Sequence, residues 1–301
     1  MAVDAQWDDV VMMTPLTADL LDARGGQTSE GPGATGLSSA VGNAFGAGNA
    51  YHFAGADGFS ADFVTCNAVS GYTFLDAGDF SVQLAFYPVD GGHGSASESV
   101  LFQAAPDGVD DGGLRITSNG SANPMNLRIE YHNGSAWTDL IDFVATGVSD
   151  DAWHWLQVDR VSGVISCYVD GTLYSDETRT ASLQFQNIII GQGFNGYIHD
   201  VRFTSGAYRA SHAVPGAPWP RPTIQGEVTT TPHDRVIVCL NQNTLAVDGS
   251  TVSDSGTGAY TLYPYDYDEH IVMWFDTDTY PIVDGGSGEI MQAYDRVSPG
   301  G

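Results

Sequence analysis

Between residues 51 and 204 the chain is written in short runs of β-branched and aromatic residues, each bounded by Gly, Asp, Asn or Ser. No segment of twelve or more residues holds a helical apolar period. Alternation of this kind builds a half-buried sheet face and no helix stripe, so layered β-structure is what the chain must form. Strands are predicted over residues 51–53, 80–87, 99–103, 114–117, 126–131, 138–143, 153–161, 164–169, 186–190 and 196–204. Asn133-Gly134 and Asp170-Gly171 stand between such runs, and both pairs tolerate the positive φ that two-residue type I′ hairpins require. Residues 9–22 come nearest to a helical pattern, but Pro15 limits them to a short turn of helix. Residues 24–50, rich in Gly, Ser, Ala and Thr, read as a loop laid across the sandwich.

Composition supports the same class. The chain has 37 Gly, only 16% charged residues, and no Lys, which is poor for surface helices and natural for turns and strands. Its formal net charge of −27 repels phosphate backbones and anionic lipid, so neither nucleic-acid binding nor membrane insertion is expected. No stretch approaches ~20 consecutive apolar residues. Residues 1–9 lack a basic region followed by an apolar one, so a secretory signal is not expected there. Cys66, Cys167 and Cys239 show no metal-ligand spacing and read as small buried hydrophobes.

A length of 301 residues suggests about two domains. The boundary is placed at Val-Pro-Gly-Ala-Pro-Trp-Pro-Arg-Pro, residues 214–222, where four prolines fix φ and remove backbone donors. A first β-sandwich is therefore expected over 1–213, a Pro-rich connector over 214–222 and a smaller β-sandwich over 223–301. Strands of the second part are predicted over 236–240, 258–262 and 270–275, separated by turn-rich segments such as 247–255.

Several motifs in the first part stand in a recognisable order. They are Asn49-Ala50-Tyr51-His52-Phe53-Ala54-Gly55-Ala56-Asp57-Gly58-Phe59, Gly78-Asp79-Phe80-Ser81-Val82, Trp153-His154-Trp155-Leu156, Tyr168-Val169-Asp170-Gly171 and Gly196-Tyr197-Ile198-His199-Asp200-Val201-Arg202-Phe203. In this order they resemble the laminin-G-like, or concanavalin-A-like, jelly-roll sandwiches of tailed-bacteriophage virion proteins. The second part, with Ser253-Asp254-Ser255-Gly256-Thr257-Gly258-Ala259-Tyr260, resembles the small prealbumin-like sandwiches of such proteins, and a generic immunoglobulin-like sandwich reads almost as well. The resemblance implies an all-β concanavalin-A-like jelly roll followed by a smaller β-sandwich. It also implies a virion protein assembled in the host cytoplasm and displayed on the particle surface, contacting capsid or tail proteins and forming a homo-oligomer.

Catalytic patterns are missing from the sequence. The jelly-roll glycosidases need paired carboxylates, whereas Glu30, Glu98, Glu130, Glu177, Glu227, Glu269 and Glu289 are solitary in the chain. There is no nucleophile elbow, no His-Glu-x-x-His and no phosphate loop. His154 is read as a satisfied structural histidine. The expected role is non-enzymatic: a capsid decoration or tail component carrying a carbohydrate-binding-type module. A host-glycan-binding tail adhesin or lectin is the alternative, and a polysaccharide depolymerase the third. For glycan contact the candidates are Trp137, an aromatic that can stack on a sugar, with Asn133 and Asp107. Calcium, which the family often holds, is assigned to Asp57, Asp107, Asp110 and Asp111, with solvated loop acids as the other reading. Trp219, Tyr263 and Tyr265 are the candidate oligomer or docking contacts.

Overall fold

The computed structural model describes residues 10–14, 16, 27–30, 36–46, 48–55, 63–67, 74–76, 78–93, 98–105, 112–119, 125–180, 183–185, 187–206, 212–215, 224–229, 235–242, 245, 247–262, 264, 270–276 and 294–297. Among these there is no helix. The strands, in chain order, are β1 (Val10–Thr14), β2 (Gln27–Glu30), β3 (Gly36–Ser38), β4 (Ala50–Ala54), β5 (Val64–Asn67), β6 (Phe74–Asp76), β7 (Phe80–His93), β8 (Glu98–Ala105), β9 (Leu114–Asn119), β10 (Asn126–His132), β11 (Trp137–Val144) and β12 (His154–Val161). They continue as β13 (Val164–Val169), β14 (Thr172–Thr178), β15 (Leu183–Phe185), β16 (Asn187–Ile190), β17 (Phe194–Ser205), β18 (Ile224–Glu227), β19 (Arg235–Asn241), β20 (Val247–Val252), β21 (Ala259–Leu262), β22 (His270–Asp276) and β23 (Tyr294–Val297). The chain divides into two compact units, Asp9–Pro218 and Trp219–Gly301 with Met1–Asp8.

The larger unit is a jelly-roll sandwich of two antiparallel sheets. One runs β14-β13-β12-β7-β17-β4-β3, with β1 added on β17; the other runs β11-β10-β9-β8-β16-β5-β2. Alternate residues of each turn inward. Val82, Leu84, Phe86, Leu156 and Val158 from the first sheet meet Phe102, Leu114, Ile116, Leu127 and Ile129 from the second in one apolar core. The long strand β17 pairs β4 with its first half, β1 with its second and β7 along most of its length. A bulge at Asp200, held at φ 51°, resets the register between His199 and Arg202 and turns Val201 into the core.

Several segments depart from the sequence expectation. The short helical turn expected within 9–22 is corrected to a strand over Val10–Thr14, because its β-branched and thioether side chains add to β17 and the strand stops before Pro15. The loop expected over 24–50 holds two short strands, β2 and β3, which lengthen the two sheets by pairing with β5 and β4. Residues 247–252, read as turn-rich, form strand β20 on β19. Asn133-Gly134 is not a two-residue hairpin. The connection spans Asn133 to Ala136, and the Asn133 side-chain oxygen accepts the backbone N–H of Ser135 and of Ala136, 3.0 Å each, so only Gly134 needs a positive φ. Asp170-Gly171 does have positive φ at both residues, 50° and 78°, and joins β13 to β14 as expected. Ser162-Gly163 makes the same turn between β12 and β13.

The reading of His154 as structural agrees with its surroundings. Its Nδ1 lies 2.7 Å from Asp170 Oδ2 and its Nε2 3.0 Å from the Ser149 carbonyl oxygen. Asp170 Oδ1 accepts the Trp155 backbone N–H at 2.8 Å, so one carboxylate closes the hairpin and orients the ring. All three cysteines are buried, and burial pushes the Cys167 thiol well above its ordinary range. Native protein is therefore expected to leave a thiol-specific chromogenic reagent unreacted, and all three thiols to react once denaturant is added. A thiol that titrates in native buffer would contradict this packing.

In the smaller unit, β18 pairs β21 and a four-stranded sheet runs β20-β19-β22-β23. Ile224, Val228, Ile237, Cys239, Leu262 and Val272 form its core.

Candidate functional site

Each sheet of the larger unit has an outward face, and the two differ in accessibility. On the first sheet the outward residues Ser81, Gln83, Gln157, Asp159 and Arg202 are polar yet each no more than 2% exposed. Asp159 Oδ2 accepts the Gln157 amide at 2.7 Å and lies 3.1 Å from His212 Nε2, whose ring stacks on Tyr168 at 3.6 Å between centroids. These outward side chains are buried.

The outward face of the second sheet is buried at Thr117, Glu130 and Arg115 and accessible at Trp137, His132 and Asp139. Arg115 of β9 stands opposite Glu130 of β10, and His132 stands opposite Trp137 of β11. Because His132 is two residues from Glu130, all four side chains share this face. The Arg115 guanidinium grips Glu130 with two bonds, Nε to Oε2 at 2.8 Å and Nη2 to Oε1 at 3.0 Å, and the Thr117 hydroxyl donates to Oε2 at 3.0 Å. The carboxylate is buried although it sits on an outward face. Arg115 also lies under the Trp137 ring, 4.6 Å from guanidinium carbon to ring centroid, and His132 meets the indole edge-on at 5.2 Å. The result is a half-exposed indole lying on a charge-paired floor, with half-exposed His132 and exposed Asp139 beside it and half-exposed Gln103 opposite Arg115 on β8.

Chemically this is a stacking platform with polar neighbours, the combination that holds a sugar ring. Glu130, its two oxygens engaged by three donors, serves as part of the floor. Asp139 stands opposite it across β10 and β11.

Of the sequence-derived candidates, Trp137 lies in this cluster. Asn133 lies in the adjoining turn, where its amide nitrogen donates to Thr138 Oγ1 at 3.0 Å and its oxygen holds the turn, so its role there is to shape the loop. Asp57, Asp107, Asp110, Asp111, Trp219, Tyr263 and Tyr265 lie outside the described residues. Among the described residues no three His, Cys, Asp or Glu side chains converge as a metal-ligand set. Arg115, Glu130, Thr117 and His132 were not singled out from sequence. Their signal was weak: an Arg and a Glu at outward positions of neighbouring strands become a pair only once the register across residues 120–125 is known.

Burial pushes the Asp159 carboxyl above its ordinary value of 3.8, against the hydrogen bonds from Gln157 and His212 that favour its charged form. The folded protein therefore holds this proton to higher pH than the unfolded chain. Its contribution to stability is present below about pH 3.8 and is lost as pH rises through the raised pKa. Asp159→Asn is expected to flatten that part of the stability profile, measured by denaturant unfolding at a series of pH values; an unchanged slope would contradict the assignment.

No protein-family model matches the chain, and no curated protein does. Solved structures share the fold. The crystal structure of HCR/D-Sa-GBL1/C aligns with a TM-score of 0.50 at 11% identity, covering 89% of this chain and 67% of that one. Domain 4 of AbnA, a GH43 extracellular arabinanase from Geobacillus stearothermophilus in complex with arabinotriose, aligns at 0.47 and 16% identity, covering 68% and 97%. Domains LG4-5 of the mouse laminin α1 chain align at 0.34 and 16% identity, covering 55% and 46%. The chain is thus all-β, with a larger unit built as a jelly-roll sandwich.

Proposed function

We propose that the chain is a non-enzymatic glycan-binding protein of a tailed-bacteriophage particle, displayed on the virion surface as a capsid decoration or tail component. The observation that carries the binding role is Trp137, presented on the outward face of the seven-stranded sheet over the Arg115–Glu130 pair. An aromatic ring on a rigid, charge-neutralised floor offers a stacking surface to a pyranose, while His132 and Asp139 stand beside it with groups suited to hydroxyls. The virion setting is supported by the ordered motifs of residues 49–59, 78–82, 153–156, 168–171 and 196–203. In that setting the partners are capsid or tail proteins and further copies of the chain.

Two measurements test this reading. Purified protein on a glycan array is expected to retain a defined subset of sugars without releasing reducing ends; release would make it a depolymerase, and an empty array would remove the binding role. Gold-labelled antibody on purified particles is expected to mark the particle surface. Label confined to the tail end would make the module an adhesin, label over the head a decoration protein, and absence of label would remove the virion role.

A further inference from the structure

One end of the larger unit holds a buried guanidinium without an acceptor among the described residues. Arg160 lies near the end of strand β12, opposite Phe80 of β7 and Ile165 of β13. It alternates with Leu156 and Val158, so its side chain enters the sandwich on the core side, at the margin of the apolar packing. That side chain is 0% exposed, and among the described residues its Nε, Nη1 and Nη2 have no hydrogen-bond acceptor. Arg115 shows the contrast, since Glu130 grips its guanidinium with two bonds. A buried charged donor left in this state is costly, and an acceptor is what the site lacks.

A second guanidinium stands beside the first. Arg179 follows strand β14, and its backbone N–H donates to the Gly163 carbonyl oxygen at 2.7 Å, which holds it against the turn between β12 and β13. Its guanidinium carbon lies 3.6 Å from the centroid of the Tyr131 ring on β10, so the side chain reaches from the first sheet to the second. Its buried Nε also has no acceptor among the described residues. Arg179 is half exposed where Arg160 is buried, so the pair runs from the surface inward. Burial pulls the Arg160 guanidinium below its ordinary range; Asp79 opposes this and Arg179 adds to it, so the two guanidinium charges are near enough to repel. Asp79 Oδ1 already accepts the Ser162 backbone N–H at 2.7 Å, and Glu177, in the same cross-strand row as Arg160 and Ile165, is exposed.

We propose that Arg160 and Arg179 form a binding site for the carboxylate group of a small acidic ligand, entered from the Arg179 side. Two guanidinium charges and the Asp79 carboxylate leave one positive charge, the match for a monoanionic carboxylate and not for a doubly charged phosphate or sulfate. The planar fork of Arg160 presents paired N–H donors that a carboxylate accepts two at a time. In a chain with a net charge of −27 and only ten basic residues, all Arg, two side by side make a positive spot in a field that otherwise repels anions. The carboxylate can belong to a uronic acid or to a simple organic acid, and the test separates the two. The site does not depend on Trp137 or on glycan binding.

The test is isothermal titration calorimetry of the full chain at about 0.15 M sodium chloride, with sodium acetate, sodium glucuronate and sodium sulfate as separate titrants. Both carboxylates are expected to bind at one site per chain, and sulfate at least about tenfold more weakly. Glucuronate tighter than acetate supports the site as one for an acidic sugar; equal affinities support it as one for a free carboxylate. Arg179→Gln, at a half-exposed position, and Arg160→Met are each expected to lower the affinity at least about tenfold. Arg160→Met also probes the missing acceptor without any ligand. In carboxylate-free buffer its denaturant midpoint is expected at or above that of the wild type, since removing an unpaired buried charge strands no partner. A midpoint well below the wild type would mean that the charge is paired within the chain, and overturns the proposal. So does the absence of binding by both carboxylates, tighter binding of sulfate, or an affinity that either variant leaves unmoved.

Discussion

Trp137→Ala is expected to abolish glycan retention while leaving the fold in place. An aromatic anchor of this kind carries about 2 kcal/mol or more of binding, roughly 30-fold in affinity. Trp137 is half exposed and stands outside the apolar core, so its loss removes ring contacts with Arg115 and His132 and leaves the core packed. The cation–π contact contributes about 1 kcal/mol to stability. Melting temperature should fall slightly and binding should fall to background on the same array. Trp137→Phe keeps a ring over Arg115 and should retain part of the signal. Removing Glu130 is a poorer probe. It leaves the Arg115 guanidinium in a buried site without its carboxylate, at a cost of about 3 to 5 kcal/mol, and confuses unfolding with lost binding. Full retention by Trp137→Ala would move the site off the face that carries Trp137.

Gly196→Ala is expected to destabilise the larger unit by about 3 kcal/mol or more. Gly196 sits in β17 between β7 and β4, at φ 149°, a conformation that residues with a Cβ rarely adopt. A Cβ there would collide with the Tyr87 carbonyl oxygen on the neighbouring strand and approach the Phe194 ring at 2.9 Å. The first obstacle is backbone and cannot rotate away, so the central pairing of the first sheet must open. Gly206→Ala provides the comparison. Its φ is 75°, but a Cβ there meets nothing within 4 Å, so its cost is limited to the backbone strain of about 1 kcal/mol. Denaturant unfolding of the two variants should separate them by about 2 kcal/mol. Equal losses would mean that strain alone, and no strand contact, sets the requirement at Gly196.

Much of the fold was legible in the chain. Each strand predicted between residues 51 and 204 is present, because β-branched alternation closed by Gly, Asp or Asn is a local property that tertiary packing had no reason to override. The misses share a cause. Val10–Thr14, Gln27–Glu30 and Gly36–Ser38 lie in segments whose own patterns are weak, and they become strands because β17, β5 and β4 offer open edges to complete. Val247–Val252 was hidden by Asp-Gly-Ser-Thr, a turn-like composition held in a strand by β19. At Asn133 the residue type correctly marked a turn, yet its side-chain bonds chose a longer one.

The candidate site divides along the same line. Sequence alone determined that the chain is all-β, that its first part has the jelly-roll motif order, that the cysteines and His154 are structural, and that Trp137 is an aromatic beside a turn. These follow from residue type and short-range spacing. Only the tertiary structure decided that Trp137 rests on Arg115, that Arg115 holds Glu130, and that the outward polar residues Gln83, Gln157 and Asp159 of the first sheet are buried while Trp137, His132 and Asp139 of the second are accessible. Strand order and register set those relations, and register is fixed by the burial of one whole face against another, a property of two sheets together that no single run of residues contains.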